Sequence, residues 1–210
     1  MAATPVKRVR LNRGEQKEQR TQQLLDAAWE LFCEKGYDAL TIDEVAEHAG
    51  YSRKPIYSLF GDKQTLFFEL WLRLLDEMTT LALTPFEHGA GLRANLKRLA
   101  AIATERAKAG ASLQGESLFF VVQTIALSRP DLTARVSQAT QDVLGRLAQA
   151  IKQSTLADGE KLRGKPEQVA AHLVAHINGL SMLQFQTGVN YMRSQDLFEV
   201  FVHLTLTEAA

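Results

Sequence analysis

The chain is poor in the features that would assign it to several common classes. It has one cysteine, Cys33, so no disulfide can close within it. A lone thiol beside Phe32 on an apolar stretch is expected to be packed, and without a resolving partner it gives little support to a redox role. Net charge is also lacking, because 24 Lys and Arg offset 24 Asp and Glu. Any affinity for a polyanion must therefore come from a local patch, and composition alone favours a protein with no nucleic-acid partner. No run approaches the roughly 18 apolar residues of a membrane span, and the opening MAATPVKRVR has no apolar core of signal-peptide length. These absences lead us to expect a cytoplasmic chain with no membrane contact. Also missing are a nucleophile elbow, a phosphate-binding glycine loop, a convincing metal set, repeats, low-complexity tracts and any convincing alternating strand pattern. No catalytic residue, metal or cofactor is expected, and the chain is not expected to be an enzyme.

What is present is a soluble, globular composition, 46% hydrophobic and 23% charged over 210 residues, enough for one or two domains with a buried core. The informative stretch is ALTIDEVAEHAGYSRKPIYSLFGDK. Thr41 and Glu44 have capping-box spacing, each able to satisfy the other's unpaired backbone donor at a helix start. Ile42, Val45, Ala46 and Ala49 give that short helix an apolar face, and Gly50 can take the left-handed conformation that ends it. A second helix must follow at once. Ser52 offers a cap, Pro55 fits only a first turn, and Ile56, Leu59 and Phe60 form the apolar face. Helices so closely joined cross steeply, which requires a small residue at the crossing, a turn residue tolerant of positive φ and a buried aliphatic. Ala46, Gly50 and Ile56 supply these in the spacing of a helix-turn-helix unit. Outward on the second helix lie Arg53, Lys54, Tyr57 and Ser58, donors suited to phosphates and base edges.

These residues resemble the amino-terminal domain of TetR-type (TetR/AcrR) transcriptional regulators. The likeness runs from about Arg20 to about Leu70. It takes in Leu24, Leu25, Ala28, Leu31 and Phe32, the Glu34-Lys35-Gly36-Tyr37 exit, Thr41 to Ala46, Ile56-Tyr57, Phe60 and Asp62 to Leu66. The resemblance implies phosphate contacts from Tyr57, Lys63 and the helix start at Thr41, with Arg53, Lys54 and Pro55 at the groove. The candidate DNA contacts are thus Thr41, Ser52, Arg53, Lys54, Pro55, Tyr57, Ser58 and Lys63. Three positions depart from the family pattern: Lys54 stands where glycine is frequent, Pro55 where threonine or serine is, and Leu59 where histidine is common. Because proline disfavours helical geometry in the residue before it, the reading helix is expected to start at Pro55, with Lys54 as its cap.

Ahead of this domain, Lys7, Arg8, Arg10, Arg13, Lys17 and Arg20 are opposed only by Glu15 and Glu18. The segment reads either as an arm reaching along the minor groove or as a solvated tail. Beyond it, Leu66, Phe67, Leu70, Trp71, Leu74, Leu75 and Met78 recur at three and four, marking a long helix and a natural lever. Pro85, Gly89 and Gly91 end that pattern. Helical runs follow at Leu92–Ile102, Leu118–Ile125 and Leu132–Ile151, then a polar loop over Lys152–Lys165 and a helix opened by Pro166.

The expected fold is all-α, a helix-turn-helix three-helix domain followed by a larger helical bundle for ligand binding and dimerisation. Its boundaries are set at residues 1–19 (basic flexible arm), 20–66 (DNA-binding domain) and 67–210 (bundle). Ala171, Ala175 and Gly179 form a small-residue stripe beside Leu180 and Leu183 that lets another helix approach closely. The last run, Leu197 to Leu204, is apolar beyond one face. Read alone, these two helices could also be intramolecular core; the resemblance implies that they pair with those of a second copy. Such a homodimer would read a pseudo-palindromic double-stranded DNA operator, with half-sites roughly 34 Å apart or a little more.

Trp71, Phe119, Phe120, Gln123, Met182, Phe185 and Gln186 combine aromatic or apolar surface with a few polar groups, the mixture that small-ligand sites need. Aromatics at helical spacing also make plain core. The resemblance implies a small-molecule effector here, largely apolar, that releases a repressor. His172 and His176 have metal-ligand spacing, but no third ligand accompanies them and packing is the expectation. The rival readings are an enzyme built on the bundle and a helical protein-interaction module.

Overall fold

The structure is a computed structural model that describes residues 12–86, 90–108 and 111–208, with the side chains of 111–113 left aside. Among the described residues its regular structure is helical, apart from one small two-stranded sheet and an isolated bridge between Gly91 and Thr155. The chain divides into two compact units between Leu70 and Trp71, a little beyond the expected 66/67 boundary.

In the first unit, α1 (Arg13–Ala39) is followed by α2 (Ile42–His48) and α3 (Lys54–Phe60), and α4 (Lys63–Leu83) begins immediately after. The start of α1 is earlier than the expected arm boundary at residue 19. Asn12 caps it, the Glu15 N–H donating to Asn12 Oδ1 at 2.9 Å and the Asn12 N–H donating to the Glu15 carboxylate at 2.7 Å. This reciprocal pair satisfies two donors that would otherwise point into water. The rest of the expected arm, with Lys7, Arg8 and Arg10, lies outside the described residues. Leu24, Ala28, Leu31 and Phe32 of α1 are buried, as are Val45, Ala46, Ile56, Phe60, Leu66 and Phe67. Phe67 makes T-shaped contacts with Phe32 and Tyr37 at centroid distances of 5.7 and 4.9 Å. Cys33 is exposed, not packed as expected, and the burial it does have raises its thiol pKa, which disfavours a reactive thiolate.

The second unit holds α5 (Leu92–Lys108), α6 (Ala111–Ser128), α7 (Pro130–Gln153), α8 (Pro166–Thr187) and α9 (Ser194–Thr205). Pro85 sits in a single 3₁₀ turn, and Gly89 lies outside the described residues. The core is built from one face of each of four helices, with Leu92, Leu96 and Leu99 meeting Leu147 and Ile151, Val169 and Leu173, and Leu197 and Phe201. Each such side chain, fully buried, stabilises by about 1.5–3 kcal/mol. Pro130 and Pro166 open α7 and α8, where a missing N–H costs nothing.

The sheet was not expected. Within the predicted loop, β1 (Glu160–Leu162) pairs antiparallel with β2 (Leu206–Glu208), which directly continues α9. Arg163 explains why it forms. Its N–H donates to Thr205 O at 2.8 Å, while its guanidinium donates to His203 O at 2.6 Å and Leu206 O at 3.2 Å. The free carbonyls at the end of α9 are thereby satisfied. Arg93 of α5 pins β1 through Glu160 at 2.7 Å.

Candidate nucleic-acid interface

The geometry of the interface begins with the cap of α2. Thr41 Oγ1 accepts from the Glu44 N–H at 3.3 Å, and the Thr41 N–H donates to the Glu44 carboxylate at 2.8 Å. Lys35 Nζ donates to the other carboxylate oxygen. The Lys35 hydrogen bond, then those from Thr41, hold the Glu44 pKa down at about 2. A fixed carboxylate in the first turn also complements the positive end of the helix.

The exit from α2 is a Schellman turn. The Tyr51 N–H reaches back to Ala46 O at 2.8 Å and the Gly50 N–H to Glu47 O at 3.0 Å, with Gly50 at φ 74°. This closure spends the last carbonyls of α2 and turns the chain sharply into α3. Ala46 and Ile56 are buried at the crossing, as their spacing implies. The start of α3 differs from expectation. Arg53 is the capping residue, neither Ser52 nor Lys54 caps, and Lys54 is already helical with Pro55 behind it in the first turn. The Ile56 and Tyr57 N–H groups both donate to Arg53 O, so the turn closes without needing a side-chain cap.

Ile56 is fully buried and Phe60 nearly so, which fixes the rotation of α3 and sends Ser52, Arg53, Lys54, Tyr57 and Ser58 to the surface. Tyr57 is 51% exposed. Pro55 is half-buried. Arg53 Nε stands 3.5 Å from Asp43 Oδ1, both side chains well exposed, so an anion can compete for this guanidinium at little cost. Gly61, at φ 80° and ψ −50°, ends α3, and Asp62 Oδ1 accepts from the Thr65 N–H at 2.7 Å to start α4. Lys63 lies against Tyr37, donating to its carbonyl at 2.6 Å and standing 4.2 Å from its ring centroid. Burial pulls the Lys63 pKa down. Thr41 is exposed at the start of α2.

One neighbour escaped the sequence reading. The Arg20 guanidinium stacks on the Tyr51 ring at 5.5 Å, and the Tyr51 hydroxyl donates to Gln23 Oε1 at 2.5 Å. The turn before α3 is thus tied to α1. The sequence signal was the Asn12-x-x-Glu15 capping spacing, which announces a helix long enough to carry Arg20.

In the second unit the structure brings together three of the candidate ligand-binding residues. Phe119 meets Phe120 at 5.8 Å, and Phe120 meets Phe185 at 5.4 Å. Trp71 is buried, Gln123 and Met182 are half-buried, and Gln186 is exposed. Four polar groups near the same helix ends were missed. Gln184 is buried, its Nε2 donating to Ala107 O at 2.9 Å, and its Oε1 is buried with no hydrogen-bond partner among the described residues. Glu116 hydrogen-bonds Ser181, while burial, the larger influence, pushes its carboxyl pKa up; burial likewise lowers that of Arg106, whose charge faces Glu116. The signal was legible, since Glu116 is the one charged residue within α6. His176 packs edge-on against Phe201 at 6.4 Å, in keeping with a packing role, and His172 is exposed.

Comparison with known proteins bears on this arrangement. Residues 24–70 match the family described as bacterial regulatory proteins, tetR family. The HTH-type transcriptional activator FasR of Mycolicibacterium smegmatis is 36% identical over 64 residues, 30% of this chain and 29% of FasR. An HTH-type transcriptional repressor of Mycobacterium tuberculosis is 38% identical over 63 residues, 30% of this chain and 34% of the repressor. The chain therefore aligns with only about a third of the length of these curated relatives. Likeness of fold extends further. A protein from Mesorhizobium loti described as a TetR-family transcriptional regulator superposes with a TM-score of 0.71 at 22% identity, over 94% of this chain and 100% of its own. A transcriptional regulator from Saccharomonospora viridis, solved in complex with choline, gives 0.67 at 19% identity, over 91% and 100%. The relatives named here are described as regulators of transcription, and the likeness to the tetR family lies in residues 24–70 of this chain.

Proposed function

We propose that this TetR-type chain is a sequence-specific DNA-binding transcriptional regulator that acts as a homodimer, a repressor released from a pseudo-palindromic operator by a small molecule. The observation that carries the reading is the presentation of α3. A capped helix and a Schellman turn lock its apolar side into the core, leaving Arg53, Lys54, Tyr57 and Ser58 together on the open side. Tyr57, Lys63 and Thr41 hold backbone phosphates in this reading, and Arg53 and Lys54, with Ser52, Pro55 and Ser58 beside them, face base edges in the major groove.

Dimerisation is supported by α8. Ala175 and Gly179 are exposed, and Leu183 and Phe185 are 45% and 42% exposed on the same helix. Small residues that admit a neighbouring helix, flanked by large apolar ones left in water, suit pairing with a second copy.

The effector reading rests on the ring cluster Phe119, Phe120 and Phe185 together with Glu116, Ser181 and Gln184, an apolar surface with a polar end. The S. viridis neighbour's complex with choline supports small-molecule binding on this fold. An effector of this chain would carry an apolar body and a hydrogen-bonding head. It must bind the DNA-incompetent state more tightly, because equal affinity for both states shifts nothing.

Selection of bound sequences from a random duplex pool tests the reading, with Arg53→Ala/Tyr57→Ala protein as control. Both side chains are exposed, so the control keeps its fold. Enrichment of a pseudo-palindrome by the parent alone is the expected result. A folded parent that enriches nothing at low and moderate salt would overturn direct operator reading.

A further inference from the structure

We propose that the first two turns of α1 form a second DNA-contacting element, a basic stripe that holds backbone phosphates beyond the half-site read by α3. This inference rests on the operator-reading proposal. At 100° per residue, Arg13, Lys17 and Arg20 fall within about 60° of one another. Glu15 and Glu18 fall on roughly the opposite side. The basic stripe continues the line of Leu24, Ala28 and Leu31, the buried face of the same helix. As α1 runs past the end of the domain core, its inward line changes from apolar to cationic.

Three observations separate this stripe from an ordinary solvated helix face. The acidic residues are already engaged on their own side, Glu15 in the Asn12 cap and Glu18 with the Gln22 amide at 2.8 Å. Among the described residues, Arg13, Lys17 and Arg20 have no ion-pair partner, and Arg20 Nε is buried without a hydrogen bond. Arg20 is also held over Tyr51, next to Ser52 and Arg53 at the start of α3. The stripe therefore begins where the outward face of α3 begins. A chain of zero net charge gains little from bulk attraction to DNA, so a concentrated set of cations without carboxylate partners among the described residues matters more at this edge.

Arg13 and Arg20 are about 10 Å apart along the axis, which matches about three nucleotides of axial rise on one strand. Guanidinium and ammonium groups at that spacing suit successive phosphates and carry no base information. The stripe should lengthen the footprint without changing the sequence read.

The test uses the full chain and a selected operator, as a core duplex and as one extended by several base pairs on each flank, over a salt series. Parent protein is compared with Arg13→Gln/Lys17→Gln and with Glu18→Gln as the opposite-face control. The expected result is that the parent and Glu18→Gln bind the extended duplex several-fold more tightly than the core. The double variant should gain nothing from the flanks, and its slope of log affinity against log salt should be shallower by about one per lost phosphate contact. Equal flank gain and equal slope in parent and double variant overturn the stripe while leaving the regulator reading intact. A parent that retards no duplex overturns both.

Discussion

At the scale of single residues, Glu44 links stability to acidity. Its folded pKa of about 2 lies well below the ordinary 4.5, chiefly through Lys35 and Thr41. A depressed carboxylate pKa means the folded state favours the charged form. The stabilisation is complete above about pH 4.5 and is lost as pH falls from there towards 2. Glu44→Gln should therefore be less stable than the parent near neutrality, and the gap should close on acidification across that window. Denaturant midpoints measured from pH 6 downward check this; a gap independent of pH would mean that the charge is not what stabilises the cap. On the proposed reading face, Tyr57→Ala is expected to weaken binding about equally on all sequences. Replacing Lys54, proposed to face a base edge, by Ala should instead relax preference at one base position by about 1–3 kcal/mol. Binding measured on a panel of single-base operator variants separates the two outcomes. The placement of these residues, at a cap or on the open side of α3, was legible because capping, turn and face chemistry are local. The cap of α3 was not, since the Arg53 carbonyl closes its first turn without any side chain, and backbone closure leaves no mark in sequence.

At the scale of elements, glycines with opposite roles give a paired prediction. Gly36 interrupts the path of α1 at φ 76° and ψ 177°, a region essentially closed to other residues, and beyond its chain neighbours there is open space where a side chain would start. Gly36→Ala should cost about 1–3 kcal/mol from backbone strain alone. Gly145 lies inside α7, with open space around it. Gly145→Ala should stabilise by about 0.5–1 kcal/mol by removing a flexible residue from a helix interior. Chemical denaturation followed by circular dichroism reads both, and a destabilised Gly145→Ala would contradict the helix assigned there. Most helices were readable because apolar periodicity and helix-opening prolines recur through the chain. The β1–β2 pair was not. Two strands of three residues are too short to alternate detectably, and they exist because Arg163 reaches the His203 and Leu206 carbonyls across forty and more positions of sequence. The early start of α1 had a local signal in Asn12 and Glu15, but the surrounding lysines and arginines masked it as a charged tail.

At the scale of the whole molecule, the proposed operator reading makes α8 the element that decides whether the chain acts on a pseudo-palindrome. In that reading a single α3 would contact a few base pairs, and two joined in one dimer would make the second contact intramolecular, at an effective concentration in the millimolar range for short connections. The joining surface proposed here contains Ala175, Gly179, Leu183 and Phe185, all exposed in the isolated chain. Leu183→Glu would place a charge where the close approach of a second helix excludes water, an unpaired burial costing several kcal/mol. The same change on a surface that stays in water costs almost nothing, so the variant separates pairing from packing. Its helicity should match the parent, its mass by light scattering should fall from two chains to one, and retardation of the full operator should collapse while weak binding to a half-site duplex remains. A Leu183→Glu protein that stays dimeric with full operator affinity would move the interface away from this face of α8. A parent that is monomeric at micromolar concentration would leave the exposed apolar residues of α8 to another partner and remove the two-fold reading of the operator altogether.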